Sequence, residues 1–261
     1  MFEYIDVHSH IHGKEYDSDR DEVVRRMREG KGGTIVVGTD LEESRRALLL
    51  AEREEGIFAA IGQHPSDSRN EVFNREAYEI LLKSNKIVAI GECGLDYFRK
   101  ELDTENERMR QKLLFKAQIE LAISFNKPLM IHCRAAHDDM LNILKDEKQR
   151  YGAKLFGNIH FFTGTLALAE SYIELGFTLS FPGVITFTKE YDEVVKSVPH
   201  TEILSETDSP YATPLPYRGV RNEPAYVVKV IEKIADLRGE ALSDIKRALV
   251  ANAKRVFSLE G

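Results

Sequence analysis

The sequence predicts a slightly distorted (β/α)8 TIM barrel, and three observations favour that architecture. Eight short apolar runs recur along the chain, stretches of helical period separate them, and no hairpin turn joins one run to the next. Strands that alternate with helices in this way pair in parallel, and eight such units in 261 residues suffice to close a barrel. An open, doubly wound sheet is the alternative, but no Gly-x-Gly-x-x-Gly motif follows the first run.

The eight predicted strands are apolar and rich in Val and Ile. They cover residues 4–7, 34–38, 57–62, 87–91, 128–131, 155–159, 177–181 and 202–205. The clearest helical periods cover residues 106–122, 166–174 and 224–235. In the first of these helices, the predicted buried stripe consists of Met109, Leu113, Ala117, Ile119 and Leu121. No linker rich in Gly, Ser or Pro interrupts the alternation, so we expect residues 1–261 to form a single domain.

The composition is that of an ordinary soluble protein, with 30% charged residues and a net charge of −7. No apolar stretch approaches the roughly 18 residues of a membrane-spanning helix, and the first residues do not resemble a signal peptide. We therefore expect a cytoplasmic protein with no membrane partner, and a monomer is favoured. Cys93 and Cys133, the two cysteines of the chain, are expected to be buried free thiols. The acidic balance argues against a broad basic surface for duplex nucleic acid, but it leaves room for a local site that attracts a polyanion.

Residues that can bind metal follow several of the predicted strands. His8 and His10 follow the first strand, and because residues two apart on a strand share a face, the two imidazoles can reach one ion. Glu92, His132 and Asp208 follow three other apolar runs. In a parallel barrel the carboxyl ends of the strands meet at one mouth, so we expect these side chains to gather there.

The same rule sorts the remaining histidines. His64 and His160 fall at strand ends, whereas His12, His137 and His200 lie in a loop, at a helix start and before a strand, and are left out of the site. The predicted ligands are then His8, His10, Glu92, His132, His160 and Asp208. Six nitrogen and oxygen ligands exceed what one tetrahedral zinc requires. The sequence therefore predicts two divalent ions of Mg, Mn or Zn, with Glu92 as the bridge.

A set of motifs spread over essentially the whole chain resembles the TatD family of metal-dependent deoxyribonucleases, within the amidohydrolase-like superfamily. In order they are DVHSH (6–10), GQHP (62–65), IGECGLDY (90–97), IHCR (131–134), HFFTG (160–164), ETDSPY (206–211) and NAKRVF (252–257). One position departs from the family pattern. Phe161 stands where the family often has Cys, but the preceding ligand, His160, is present.

The resemblance implies a role for each site residue. It assigns one metal ion to His8, His10, Glu92 and Asp208. It assigns the second ion to Glu92, His132 and His160. Asp208 resembles the carboxylate that takes the proton from the attacking water, so the expected catalytic residues are Asp208, Glu92 and His64. His64 and Arg218 are expected near the substrate phosphate, and Arg134 is a second candidate substrate-binding residue.

The function expected from the resemblance is phosphodiester hydrolysis in DNA, by an exonuclease that acts on single strands or frayed ends. Deacylation of D-aminoacyl-tRNA is an alternative within the family. Hydrolysis of an amide or lactone is another, although some barrels of that kind bridge their metals with a modified lysine on the fourth strand, where this chain has Glu92. A non-catalytic protein that keeps the fold is disfavoured by the intact ligand set.

Overall fold

The computed structural model describes residues 2–67, 69 and 71–259, and it confirms the predicted barrel. In this part of the chain, eight parallel strands form one sheet in sequence order, each paired with the next. They are β1 (Tyr4–Ser9), β2 (Gly32–Val37), β3 (Ile57–Ile61), β4 (Ile87–Asp96), β5 (Leu129–Arg134), β6 (Gly157–Ile159), β7 (Phe177–Phe181) and β8 (Ile203–Ser205). The carboxyl ends of these strands surround a common mouth.

Among the described residues, one α-helix lies in each connection between consecutive strands, and two more follow β8. They are α1 (Arg20–Glu29), α2 (Leu41–Arg53), α3 (Arg75–Leu81), α4 (Glu105–Phe125), α5 (His137–Tyr151), α6 (Leu166–Glu174), α7 (Asp192–Ser197), α8 (Val227–Arg238) and α9 (Leu242–Phe257). The side chains of Asp40, Thr104 and Thr165 cap α2, α4 and α6 by accepting a hydrogen bond from a first-turn N–H group. No helix in the described ranges has the length and apolar character that crossing a membrane demands.

Apolar side chains fill two regions of the barrel. The larger cluster lies between the sheet and the surrounding helices and includes the fully buried rings of Tyr16, Phe115 and Phe177. The smaller cluster joins strand residues such as Val7 and Met130 to the end of α9. The interior is therefore packed with side chains, as expected for an eight-stranded barrel, and the open space lies at the mouth.

The predicted element boundaries hold at some places and are wrong at others. β7 and α6 have the predicted bounds, and β6 and the helix before α9 begin later than predicted, at Gly157 and Val227. The largest error concerns β4, which was expected to stop at residue 91 but continues to Asp96. Glu92 therefore lies within a strand rather than after one.

Two glycines permit this extension of β4. Gly91 and Gly94 have φ values of +156° and +140°, which disfavour any residue with a Cβ atom. A Cβ atom at Gly91 would lie 2.4 Å from the carbonyl oxygen of Met130 on β5, and one at Gly94 would lie 2.0 Å from that of His132. β4 can therefore approach β5 this closely only because both positions are glycine.

β1 and β4, the two strands that carry predicted ligands in the first half of the chain, each have an irregular register beside that residue. On β1, Asp6 and Ser9 pair with Thr34 and Val36, so that three steps along β1 match two along β2. On β4, the register shifts in the same way between Ile90 and Cys93, on either side of Glu92. Such bulges change the direction of the side chains beside them, and here they lie next to His8 and Glu92.

The predicted buried stripe of α4 is wrong in part. Met109 and Leu113 are 55% and 62% exposed, whereas Ile119 and Leu121 are buried as expected. The face that α4 turns toward the barrel instead includes polar side chains, namely Glu107, Gln111 and Gln118. Gln111 and Gln118 meet backbone N–H and C=O groups at the ends of β4 and β3, whereas Glu107 forms ion pairs with Arg69 and Arg110. The inner face is therefore not uniformly apolar.

The barrel closes where β1 meets the chain that leaves β8. The N–H group of Asp208 donates to the carbonyl oxygen of His8 at 2.9 Å, and that of His10 donates to Ser209 at 2.7 Å. The buried carboxylate of Asp6 accepts hydrogen bonds from the N–H and hydroxyl groups of Thr207, at 2.8 and 2.6 Å. We call this contact the β1–β8 seam. It sets His8, His10 and Asp208 side by side.

Candidate metal centre

The Nε2 atoms of His8, on β1, and of His10, directly after β1, face each other across 3.1 Å. The ring of His8 is fully buried and stacks on that of His160, with 3.7 Å between the ring centroids. Asp208 adds an oxygen on the same side, since its Oδ1 atom lies 3.7 Å from Nε2 of His8 and 3.5 Å from Nε2 of His10. The residues predicted at the first ion are thus brought to one place.

Glu92 lies at the centre of the cluster, and its two oxygens face different groups. Oε2 lies 3.4 Å from Nε2 of His8 and 3.8 Å from Nε2 of His10. Oε1 lies 2.9 Å from Nδ1 of His132, 3.2 Å from Nε2 of His160 and 3.4 Å from Nε2 of His64. A carboxylate placed in this way can bind two cations at once, one through each oxygen.

Hydrogen bonds at the far side of three imidazoles determine which nitrogen of each ring is available. Nδ1 of His10 lies 2.8 Å from the carbonyl oxygen of Val37, a group that can only accept, so Nδ1 carries the proton and Nε2 keeps its lone pair. The carboxylate of Glu206 does the same for His160, with 3.2 Å to Nδ1. Such contacts fix the tautomer and orientation of metal-binding histidines in proteins.

His132 follows this rule with its two nitrogens exchanged. Its Nε2 atom lies 3.3 Å from Oδ2 of Asp96, and its Nδ1 atom faces Glu92. Asp96 orients His132 through Oδ2 and accepts the Phe98 N–H group through Oδ1 at 2.9 Å, which fixes the start of the loop after β4. The Asp96 side chain lies on the same strand as Glu92, four residues later, which is the one sequence signal for this role.

His64 differs from the other histidines of the cluster. Its Nδ1 atom accepts hydrogen bonds from the backbone N–H groups of Ser66 and Asp67, both at 3.3 Å. In the neutral ring the proton then lies on Nε2, the atom that faces Glu92. Distance alone would allow His64 to bind a metal together with Glu92 and His132. This tautomer makes Nε2 of His64 a hydrogen-bond donor without the lone pair that a metal ligand needs.

Burial and mutual contact shift the pKa values of this cluster strongly. Burial lowers the pKa of His8 to about 3, with the neighbouring His160 acting in the same direction. Burial opposes ionisation of Glu92, but the electrostatic effect of the His64 and His160 imidazoles and the hydrogen bonds from His132 and His160 outweigh burial and hold the pKa of Glu92 well below its usual range. For His132, hydrogen bonds to Asp96 and Glu92 outweigh burial and raise the pKa to about 9.

The donor set fits divalent cations. Three overlapping groups within the described residues hold ligand atoms close enough to share an ion: His8 with His160 and Asp208, His8 with His10 and Glu92, and His64 with Glu92 and His132. The inward-facing ring nitrogens of His10, His132 and His160 converge on an ionised carboxylate, and each can bind a metal ion once it is deprotonated. Imidazole and carboxylate ligands without thiolate suit Zn, Mn or Mg.

The two arginines predicted to bind substrate lie outside this cluster, at its rim. Arg134, at the end of β5, is exposed, and its guanidinium carbon lies 3.7 Å from the ring centroid of Phe98. Arg218, in the loop after β8, is also exposed and lies 4.1 Å above the ring of Phe187. The cysteines are buried and free, as predicted.

Glu206 is the site residue that the sequence analysis did not single out. It is fully buried and accepts hydrogen bonds from the hydroxyl of Ser180 at 2.5 Å and from the N–H group of Phe161 at 2.7 Å. Its position two residues before Asp208 resembles the spacing of His8 and His10, and that spacing is the signal that could have found it. A buried carboxylate with these donors holds His160 in place.

A parallel barrel with histidines and carboxylates gathered at its mouth defines a metal-dependent hydrolase. The chain belongs to the family of TatD-related DNases, whose model matches residues 5–258. It is 40% identical to the uncharacterized metal-dependent hydrolase YabD of Bacillus subtilis, over 97% of this chain and 98% of the relative. It is 31% identical to the 3'-5' ssDNA/RNA exonuclease TatD of Klebsiella pneumoniae, over 98% of each chain. The crystal structure of the TatD homologue YjjV from Escherichia coli K12 superimposes with a TM-score of 0.89, at 29% identity over 99% of each chain.

Proposed function

We propose that this protein hydrolyses phosphodiester bonds in DNA as an exonuclease that degrades single strands or frayed ends from the 3′ terminus. Its cofactors would be two divalent ions of Mg, Mn or Zn. The observation that carries the proposal is the position of Glu92, whose two oxygens face two separate groups of histidines. The relative from Klebsiella pneumoniae, named a 3'-5' ssDNA/RNA exonuclease, supports the choice of substrate.

In this proposal one ion is held by His8, His10, Glu92 and Asp208. The other is held by Glu92, His132 and His160. When bound, the pair lowers the pKa of a water molecule and offsets the charge that develops on the phosphate oxygens during in-line displacement. Glu206 and Asp96 keep the rings of His160 and His132 in the orientation that ligation needs.

The protein's own groups handle the proton and the phosphate. Asp208 takes the proton of the attacking water, because its carboxylate borders the cluster and is still 14% exposed to the mouth. Its backbone φ of +55° is uncommon for a residue other than glycine, and this conformation is held by the seam hydrogen bond to His8. His64 donates from Nε2 to a phosphate oxygen, and Arg134 and Arg218 attract neighbouring phosphates at the rim.

The depth of the site supports a preference for single strands. Glu92 is 4% exposed and His8 is fully buried, so the scissile phosphate must enter the mouth to reach them. A phosphate inside a duplex can do so only after local unpairing, which costs a few kcal/mol. A flexible strand or a frayed end can bend in without that cost.

The test is to remove metal with a chelator and restore Mg, Mn, Zn or Co singly. Each form is then offered single-stranded DNA, duplex DNA, RNA, D-aminoacyl-tRNA and a panel of esters and lactones. We expect turnover of single-stranded DNA with at least one metal, and faster digestion of an oligonucleotide than nicking of closed circular duplex. Faster nicking of the closed circle would contradict the single-strand preference. If the protein turned over an ester, a lactone or an aminoacyl-tRNA but cleaved neither DNA nor RNA, that activity would replace the proposed function.

Variants of the bridging carboxylate complete the test. Glu92→Gln should lower hydrolysis at least about a thousandfold, some 4 kcal/mol of barrier, while the thermal unfolding transition remains cooperative. Asp208→Asn should have a similar effect on the rate. The matched control is Glu120→Gln, since Glu120 lies on α4 with a side chain 48% exposed. Glu92→Gln activity within about tenfold of the wild-type rate would rule out the bridging role.

A further inference from the structure

The exposed aromatic rings of this protein are concentrated around the mouth of the barrel. Among the described residues, the phenylalanines and tyrosines classed as exposed are Phe98, Phe187, Tyr211 and Tyr217. Phe98 follows β4, Phe187 follows β7, and the two tyrosines follow β8. Exposed apolar side chains on the outer helices are aliphatic instead, as with Leu49, Ile80, Met109 and Leu113. Aromatic rings left in water at a functional opening, and absent from the exposed part of the helices described here, indicate a surface for a ligand with flat faces.

Phe98 is attached directly to one half of the ligand cluster. The carboxylate of Asp96 accepts the Phe98 N–H group on Oδ1 at 2.9 Å and faces Nε2 of His132 through Oδ2 at 3.3 Å. The Phe98 ring is 60% exposed, and the guanidinium of Arg134 lies over it. The pair thus presents an aromatic ring and a cation within a few residues of a predicted ligand.

Tyr211 is tied by a backbone hydrogen bond to Asp208, on the opposite side of the ligand cluster. Its N–H group donates to the carbonyl oxygen of Asp208 at 2.8 Å, and its ring centroid lies 6.4 Å from that of His10. The side chain is 61% exposed. Because β4 and β8 lie four strands apart in a ring of eight, Phe98 and Tyr211 stand on opposite sides of the cluster.

We propose that Phe98 and Tyr211 are stacking platforms for the nucleobases on either side of the phosphate that is cleaved, with Phe187 and Arg218 extending the track beyond Tyr211. The inference rests on the proposed function and adds a recognition mode to it. Bases in a single strand have free faces, whereas those in a duplex are covered by their neighbours. Stacking is also tolerant of sequence, since every base has such a face.

The negative charge of the protein makes base stacking important for holding a DNA strand. A net charge of −7 weakens the general attraction for a polyanion. Stacking of each base on an aromatic ring strengthens binding and does not depend on the charge of the surface. Base stacking beside the metal centre can therefore hold a strand that electrostatics alone would bind weakly.

The test compares two fluorescent strands of equal length and phosphate number, one of oligothymidylate and one in which every nucleotide lacks its base. Binding to the full chain is followed by fluorescence anisotropy at low salt, with chelator present so that neither strand is degraded. We expect the wild type to prefer oligothymidylate. Phe98→Ala and Tyr211→Ala should each weaken its binding about tenfold and leave the abasic strand unaffected.

Three further variants make the result specific. Phe98→Tyr and Tyr211→Phe keep an aromatic ring and should retain the preference for oligothymidylate. Leu113→Ala removes an equally exposed side chain from α4 and should change neither affinity. Equal losses on both strands, or a wild type that does not distinguish them, would overturn the inference. A base-dependent preference in a protein that hydrolyses no nucleic acid after metal is restored would overturn the proposed function and leave the stacking surface standing.

Discussion

The side-chain amide of Gln118 pairs with the backbone of Gln63 in both directions. Its oxygen accepts the Gln63 N–H group at 2.8 Å, and its nitrogen donates to the Gln63 carbonyl oxygen at 2.9 Å. Gln111, two helical turns earlier on α4, makes the same reciprocal pair with Asp96, at 2.8 and 2.9 Å. Both glutamines are fully buried. Through them α4 holds the residue next to His64 and the residue that orients His132.

Gln118→Leu should therefore destabilise the protein. The substitution leaves the N–H and C=O groups of Gln63 buried without partners from α4, at about 1–3 kcal/mol for each group. We expect the free energy of unfolding in urea to fall by roughly 2–5 kcal/mol. Gln149→Leu is the matched control, because Gln149 is exposed on α5, and its effect should stay within about 0.5 kcal/mol. A Gln118→Leu protein as stable as the control would show that water replaces the lost partner.

Glu206→Gln should weaken metal binding without unfolding the barrel. The amide keeps the shape of the side chain but removes the negative charge that faces Nδ1 of His160. Loss of such a partner typically costs 10–100-fold in metal affinity, and we expect about that loss in calorimetric titration with Zn or Mn. Glu174→Gln, an exposed change on α6, provides the comparison. Equal metal affinities in the two variants would argue that Glu206 serves packing alone.

Metal binding should release protons at neutral pH. In protein stripped by chelator, the raised pKa of His132, about 9, means that this imidazole is protonated at pH 7 and must lose a proton before it can bind metal. His160, whose pKa also lies well above its ordinary value, adds to the effect. Affinity should therefore rise with pH and level off near pH 9. Calorimetric titration of metal at pH 7 in two buffers of different ionisation enthalpy measures the number of protons released. A heat of metal binding that is the same in both buffers would refute the predicted proton release.

Cys93 and Cys133 should not react in the native protein. Burial raises the pKa of Cys133 to about 12 and that of Cys93 still further above its ordinary value, so the reactive thiolate is scarce at pH 8. We expect no reaction with a thiol reagent such as dithionitrobenzoate over minutes, and reaction of both thiols once guanidinium chloride unfolds the chain. Fast labelling of one native cysteine would show that the mouth opens further than the structure indicates.

The sequence predicted the parts of this fold that depend on periodicity. β7 and α6 have the predicted bounds because their apolar patterns are regular and each is ended by a clear change of composition. Histidines and carboxylates after apolar runs indicated the ligand set, since parallel strands bring their carboxyl ends together. The gathering of His8, Glu92 and Asp208 at the mouth follows from that rule alone.

The parts that could not be predicted depend on contacts between distant residues. The extension of β4 to Asp96 relies on the fit of Gly91 and Gly94 against β5, which no local pattern encodes. The inner face of α4 is polar because Gln111 and Gln118 match backbone groups of other elements. Because the buried face of α4 contains polar residues, the apolar pattern of this helix wrongly indicated that the exposed Leu113 is buried. Periodicity detects burial in apolar surroundings, and these residues are buried in polar ones.

The β1–β8 seam also determines when the active centre can form during synthesis. Asp6 and Thr207 are 201 positions apart, and His8 and His10 gain Asp208 only when the seam is made. At roughly 5–20 residues per second, a ribosome needs about 10–40 seconds to pass from the first of these residues to the last. A growing chain thus carries His8 and His10 for that whole interval without the carboxylate that completes their site. Hydrolytic capacity arises only when the barrel closes, so an unfinished chain cannot act as a hydrolase beside the ribosome that makes it.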